Sequence, residues 1–241
     1  MKAMRNIYRI TGISLAVAAI VAGVIWASSG EEEEICREVN IETSGSFLTE
    51  GQILSELRRM NLYPVGTPMR RVSTQAIEDG ITSNEMVRGA TCYKRGDTIV
   101  ELYVEQRTPV LRVLSDVETY YVDTDRKRMP FCQGGRADVI WVRGRVGEQM
   151  AREEIADFAV WLNGDSYWQP RIRSIEIREG KQAVLLQSEG EPVILLGRMT
   201  DYEQKLHKVR LFMEEMSTNG GAVPAYRELD TRFDGQIVGR Y

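Results

Sequence analysis

Eighteen consecutive residues, Ile10 to Ala27 (ITGISLAVAAIVAGVIWA), carry no charge. Coiled into a helix at ~1.5 Å per residue, such a run covers about 27 Å, close to the ~30 Å hydrocarbon core of a bilayer. Lys2, Arg5 and Arg9 precede it, and Glu31, Glu32, Glu33 and Glu34 follow. Tyr8 and Trp26 stand where aromatic side chains favour the two membrane interfaces. These features predict one N-terminal transmembrane helix over residues 10–29, a cytoplasmic tail over 1–9 and an acidic spacer over 30–34. Everything beyond the spacer is then exported, because the positive flank stays inside. A cleaved signal peptide ending at Ala27-Ser28-Ser29 is the alternative, but the apolar core of such peptides usually runs only ~7–15 residues.

About 210 residues lie beyond the spacer, enough to bury a core without disulfide staples. Outside the first nine residues the chain has 28 basic and 35 acidic residues, a net of −7. That sign argues against binding the phosphate backbone of nucleic acids. His207 is the one histidine, which removes most histidine-based metal and acid–base chemistry. Cys36, Cys92 and Cys132 have neither zinc nor CxxC spacing, and an odd number leaves one unpaired in an oxidising compartment. A Cys36–Cys92 pair is open, and small buried apolar residues are the simplest reading of all three.

Periodicity divides the exported part near Arg107-Thr108-Pro109. Residues 35–107 read strand, helix, helix, strand, strand. Ile35–Thr43 alternates through Val39 and Ile41 as a half-buried strand does. Thr49-Glu50-Gly51-Gln52 forms a capping box ahead of Ile53, Leu57 and Met60 at helical spacing, and Asn61 with Pro64 closes that helix. A second helix begins near Ser73, where Val72 and Ile77 suit a hydrophobic staple. Val87–Tyr93, a Lys94–Asp97 turn and the alternating Val100, Leu102 and Val104 complete this part, with Glu101 and Glu105 on the other face. Residues 108–241 are richer in strands. A hairpin turns at Thr124–Arg128, and a strand over Ala137–Val142 ends at Gly144. An amphipathic helix carries Ala151, Ile155, Phe158 and Leu162. The meander Ile172–Ile177, Ala183–Leu186, Val193–Leu196 follows, then a helix marked by Tyr202, Leu206, Val209, Met213 and Met216. Tyr226–Tyr241 reads as one last strand.

Catalytic signatures are missing: no P-loop, GxSxG, HExxH or GxGxxG occurs. Asp123-Thr124-Asp125 is followed by Arg126, Lys127 and Arg128 rather than by further oxygen ligands, so a polar hairpin tip is expected instead of a calcium loop. Glu153-Glu154 and Glu214-Glu215 are adjacent on their helices and point about 100° apart, so neither forms a paired-carboxylate site. Trp141, Trp161 and Trp168 sit in apolar patterns and are expected in the core rather than in a sugar platform. In the last strand Leu229, Phe233 and Ile237 share one face, and Asp230, Arg232, Asp234 and Gln236 the other. A terminal strand with a polar face suits a sheet edge, where unpaired backbone groups accept a partner strand.

Four stretches resemble the FtsQ/DivIB family of bacterial cell-division proteins: VNIETSGSFLTEG (Val39–Gly51), ELYVEQRTPVLRV (Glu101–Val113), YYVDTDRKRMP (Tyr120–Pro130) and YRELDTRFDGQIV (Tyr226–Val238). Val184–Leu206 is similar to that family's meander and following helix. The resemblance implies an α+β fold, with one transmembrane helix, a POTRA domain over 35–107 and a β-domain over 108–241. It implies a role without catalysis or cofactor at the inner membrane and the division septum, linking early and late division proteins. The chain would hold an FtsB/FtsL-type pair beside an FtsW–FtsI-type peptidoglycan synthase, with the POTRA domain contacting other division proteins. The family's partner strand docks on the C-terminal strand, which here assigns partner binding to Arg232, Phe233, Gln236, Ile237, Val238 and Tyr241. Where the family has Tyr after the Arg, Phe233 lacks the hydroxyl. The competing readings are a POTRA-type scaffold in envelope protein assembly and an anchored glycan enzyme. The latter requires a carboxylate pair in a cleft.

Overall fold

The computed structural model describes residues 17–23, 34–115, 117–132, 137–218, 226–233 and 235–241. Residues 17–23 are helical, and the rest of the expected membrane span, the tail and most of the acidic spacer lie outside the described residues. Among the described residues no helix is long and apolar enough to cross a membrane.

The first unit is a three-stranded sheet with two helices on one face. Its strands β1 (Glu38–Ser44), β2 (Val87–Arg95) and β3 (Ile99–Gln106) are ordered β1-β3-β2, with β1 parallel and β2 antiparallel to β3. Helix α1 (Glu50–Arg59) starts as its sequence dictates. The Thr49 hydroxyl accepts from the Gln52 amide at 3.3 Å, and the Gln52 side chain accepts from the Thr49 amide at 2.9 Å. Helix α2 (Thr74–Thr82) is capped by Ser73, whose hydroxyl accepts from the Ala76 amide at 3.2 Å. Ile53 and Leu57 of α1, Ile77 and Ile81 of α2, and Val100, Leu102 and Val104 of β3 bury together. Each such side chain contributes roughly 1.5–3 kcal/mol through water exclusion. Cys36 and Cys92 are thiols in this core, and burial pushes Cys92 up to about 11, with Glu78 and Cys36 adding to the effect. The β-α-α-β-β order is as expected, although β1 begins at Glu38 and leaves Ile35 exposed.

The second unit is a nine-stranded sheet. Its strands are β4 (Pro109–Leu114), β5 (Thr119–Asp123), β6 (Arg128–Pro130), β7 (Ile140–Gly144), β8 (Ile172–Arg178), β9 (Gln182–Gln187), β10 (Val193–Gly197), β11 (Glu228–Asp230) and β12 (Val238–Arg240). Across the sheet they run β12-β11-β10-β9-β8-β7-β4-β5-β6. Two helices cover one face. The first, α3, spans Glu148–Met150, Ala151–Ile155 and Ala156–Gly164, with a π-turn in its middle stretch; the second, α4, is Tyr202–Thr218. Ile155, Phe158 and Leu162 of α3 and Leu206 and Val209 of α4 pack on Leu111, Val113, Val142, Ile175 and Leu185 of the strands. Gly144 ends β7 at φ +93°, and a Cβ there would lie 2.3 Å from the Ile177 carbonyl oxygen, so only glycine fits.

The two units meet through side chains that local patterning does not mark. Phe47 and Met86 of the first pack on Tyr121 and Met129 of the second, with the Phe47 and Tyr121 rings edge-on at 5.7 Å. Gln106 is buried, and its side-chain oxygen accepts from the Phe47 and Leu48 amides at 2.9 Å each. Its amide nitrogen donates to Thr43 Oγ1 at 2.7 Å, which holds Phe47 in place. Asp123, expected at a solvated hairpin tip, is 1% exposed. It accepts from Arg107 Nη1 at 2.8 Å and from the amides of Asp125 and Lys127 at 2.9 and 2.6 Å. Arg88 of β2 reaches across to Asp125 at 2.9 Å. The turn is therefore a fastening between units, held by a buried carboxylate with a full set of donors.

Candidate functional site

The chain enters its last segment by adding β11 parallel to β10, with Leu229 beside Ile194 in register. It does not continue as one strand, which corrects the expectation of a single strand over Tyr226–Tyr241. Asp230, fully buried, accepts the Arg232 amide at 3.1 Å and the Arg232 guanidinium at 2.8 and 2.6 Å. An aspartate binding the backbone two residues ahead turns the chain, as Asx turns do. Thr231 donates from both its amide and its hydroxyl to the Leu195 carbonyl, at 3.0 and 3.1 Å, and fixes the turn to β10. Gly235, at φ +78°, supplies a left-handed residue in the loop. The chain then returns as β12, antiparallel to β11, with Leu229 opposite Gly239.

The six residues assigned to partner binding fall on one hairpin rather than one strand face. Arg232 is held by its ion pair with Asp230, and this partner lowers the Asp230 carboxyl below the usual carboxylate range. Phe233 is 47% exposed at the loop, and Gln236 is exposed beside it. Ile237 packs partly on the large core, Val238 opens β12, and Tyr241, 76% exposed, ends the chain. The alternation Leu229, Phe233, Ile237 does not describe a common face, because the turn at Asp230 separates the first residue from the other two.

β12 has β11 on one side and, among the described residues, no strand on the other. The Arg240 carbonyl accepts from the Arg227 amide at 2.8 Å, so it faces β11. Successive backbone groups in a strand point to opposite sides, so the amide and carbonyl of Gly239 face the open side. Two residues not picked out from the sequence shape this edge. Tyr226 stacks on Tyr241 with ring centres 4.8 Å apart. A Cβ at Gly239 would meet the Tyr226 ring at 2.5 Å, so the glycine lets the tyrosine lie across the strand. A cleft of about 120 Å³ beside the edge is lined by Thr231, Phe233, Gln236 and Ile237 from the loop and by Gln204 and Lys208 from α4. This segment thus offers open backbone groups at Gly239, exposed aromatic rings and, in the cleft at its loop, Lys208 of α4. It suits a peptide strand.

The alternative chemistry gains little. Trp161 and Trp168 line a cleft of about 350 Å³ with Asp165, Glu203 and His207, so the structure does bring two carboxylates to one cleft. The Asp165 carboxylate, however, accepts the amides of Tyr167 and Trp168 at 2.9 Å each, a structural task at the end of α3. Trp168 is buried as expected, whereas Trp141 is half exposed on the sheet face away from the helices, which corrects its placement in the core. No group of metal-ligating side chains occurs among the described residues.

Two family models match the chain. A POTRA-like domain matches residues 34–105, and a domain described as FtsQ/DivIB, C-terminal related matches residues 108–240, more than half of the chain. A search of curated proteins returns no match. Both matched families are non-catalytic, and together they point to a scaffold related to cell division. The strand-rich α+β fold, the open C-terminal edge and the match over residues 108–240 agree, and the chain belongs to the FtsQ/DivIB C-terminal related family.

Proposed function

We propose that this protein is a non-catalytic divisome scaffold, anchored in the inner membrane through residues 10–29 with its bulk in the periplasm. It holds an FtsB/FtsL-type pair at the septum and so supports an FtsW–FtsI-type synthase, while the POTRA-like unit meets other division proteins. The observation that carries this reading is the unpaired β12 edge of an FtsQ/DivIB-related domain. A partner strand adds to β12 through the outward backbone of Gly239, and Phe233 and Tyr241 select its side chains. β12 is only three residues long, and a net ~1 kcal/mol per hydrogen bond gives a weak, reversible contact unless the exposed rings contribute.

The test combines localisation with binding. A fluorescent protein fused ahead of Met1 should form a band at the division site. Uniform envelope labelling would instead favour general envelope protein assembly. Titration of an FtsB-type segment into the chain should give an affinity that falls at least about tenfold in Phe233→Asp and Tyr241→Ala. Both side chains are exposed, so the fold should survive. Unchanged affinity in both variants would rule out the β12 edge.

A further inference from the structure

The face of the large sheet that the helices leave uncovered carries an unusual arginine. Arg112 on β4 lies beside Trp141 on β7 and Tyr121 on β5 in register, while its neighbours Leu111 and Val113 point into the core. Its guanidinium carbon is 4.4 Å from the centre of the Phe131 ring and 5.3 Å from that of Trp141, a cation held between two aromatic rings. Its Nε is buried and makes no hydrogen bond. The nearby Arg143 has Glu176 at 3.7 Å, but Arg112 has no carboxylate among the described residues. With no carboxylate beside it among the described residues, the guanidinium charge is left for an acceptor that arrives from outside. The rings beside it stay exposed: Trp141 is 50% and Phe131 38% accessible.

We propose that this face docks an acidic segment of a partner protein, with a carboxylate on Arg112 and an apolar neighbour of that carboxylate lying on Trp141. Charge complementarity selects the acid, because the site is cationic and has no counter-ion among the described residues. Arginine with exposed tryptophan is also the side-chain combination enriched where protein interfaces concentrate their binding energy. The platform is rigid. Phe131 rests on Tyr121 at 5.9 Å, and Tyr121 rests on Phe47 of the other unit, so the aromatic run is anchored in the junction. The proposal does not depend on β12, which lies at the far end of the sheet order.

The experiment places a photoreactive benzophenone amino acid at Ser174, the β8 neighbour of Trp141, in the full-length chain in cells. The same residue at Val160, exposed on α3, serves as the control. Digestion and mass spectrometry then map whatever is captured. The expected result is a protein adduct specific to position 174, with Asp or Glu close to the captured residue. Its yield should fall about tenfold in Arg112→Gln and recover partly in Arg112→Lys, which restores the charge but not the planar fork. Reversing the charge of the captured acid in the partner should reduce the yield equally, without touching this fold. An adduct that ignores both changes would overturn the proposal, as would capture no greater than at Val160. Capture of peptidoglycan stem peptides alone would overturn it too, by giving the site to a cell-wall carboxylate.

Discussion

The two ends of the nine-stranded sheet treat the same pair of side chains differently. At the β5–β6 end, Asp123 and Arg107 are both largely removed from water, and the carboxylate also holds two amides of its own turn. That end is closed further by Phe47 and Met86 of the other unit. At the β12 end, Asp230 is equally buried, but its partner Arg232 is 41% exposed and beyond it the strand edge is open. A buried aspartate paired to arginine is thus compatible with opposite tasks. What distinguishes them is the surroundings: apolar side chains from a second unit cover one, and solvent meets the other.

Mutations should separate the ends most sharply at the closed one. Asp123→Ala leaves Arg107 and two turn amides without their acceptor and should cost about 3 kcal/mol, read from urea unfolding. Phe47→Ala opens a cavity at the junction and should cost a similar amount, about 3 kcal/mol. Should either prove as mild as the changes at the open end, the junction would not be a structural fastening. Asp230→Asn should be gentler, on the order of 1 kcal/mol near neutral pH, because half of its ion pair faces water. Its pH dependence has a definite sign. The carboxyl is lowered from its ordinary 3.8, chiefly by the hydrogen bond from Arg232. Its contribution is therefore complete above that value and fades as pH falls through the depressed one. The gap in stability between the wild type and Asp230→Asn should close in that acidic window, which thermal melts across pH would show. The smallest effect on folding belongs to Phe233→Asp and Tyr241→Ala, within about 0.5 kcal/mol by the same unfolding assay. A larger loss would mean that the open end is part of the core after all.

Much of this architecture was legible from local pattern. The capping box at Thr49, the cap at Ser73 and the periodic apolar positions of α1, α3 and α4 appear in the structure where the sequence implies them. The meander β8-β9-β10 does too. The candidate edge was legible only in outline. The sequence pointed to the last sixteen residues, and the likeness carried by YRELDTRFDGQIV pointed to the family, but the alternation in that stretch suggested a single strand. The fold-back was missed because it depends on Asp230 reaching both the amide and the side chain of Arg232, with Thr231 tied to a carbonyl on β10. Neither bond leaves a periodic trace.

The sequence by itself determined the elements whose stabilising groups lie within a turn or two of one another: the helices with their caps, the hairpins with their glycines, and the alternating strands. It also determined the family, through motifs spread over nearly the whole chain. Tertiary structure alone decided which acids are buried, which end of the sheet is closed and which tryptophan faces water. Asp123 reads as a surface residue until Arg107 and the Phe47 cluster close around it, and Trp141 reads as core until the helices are seen to cover the opposite face. Burial and pairing are properties of contacts between residues distant in sequence, and a one-dimensional pattern reports only the residues that lie near each other along the chain.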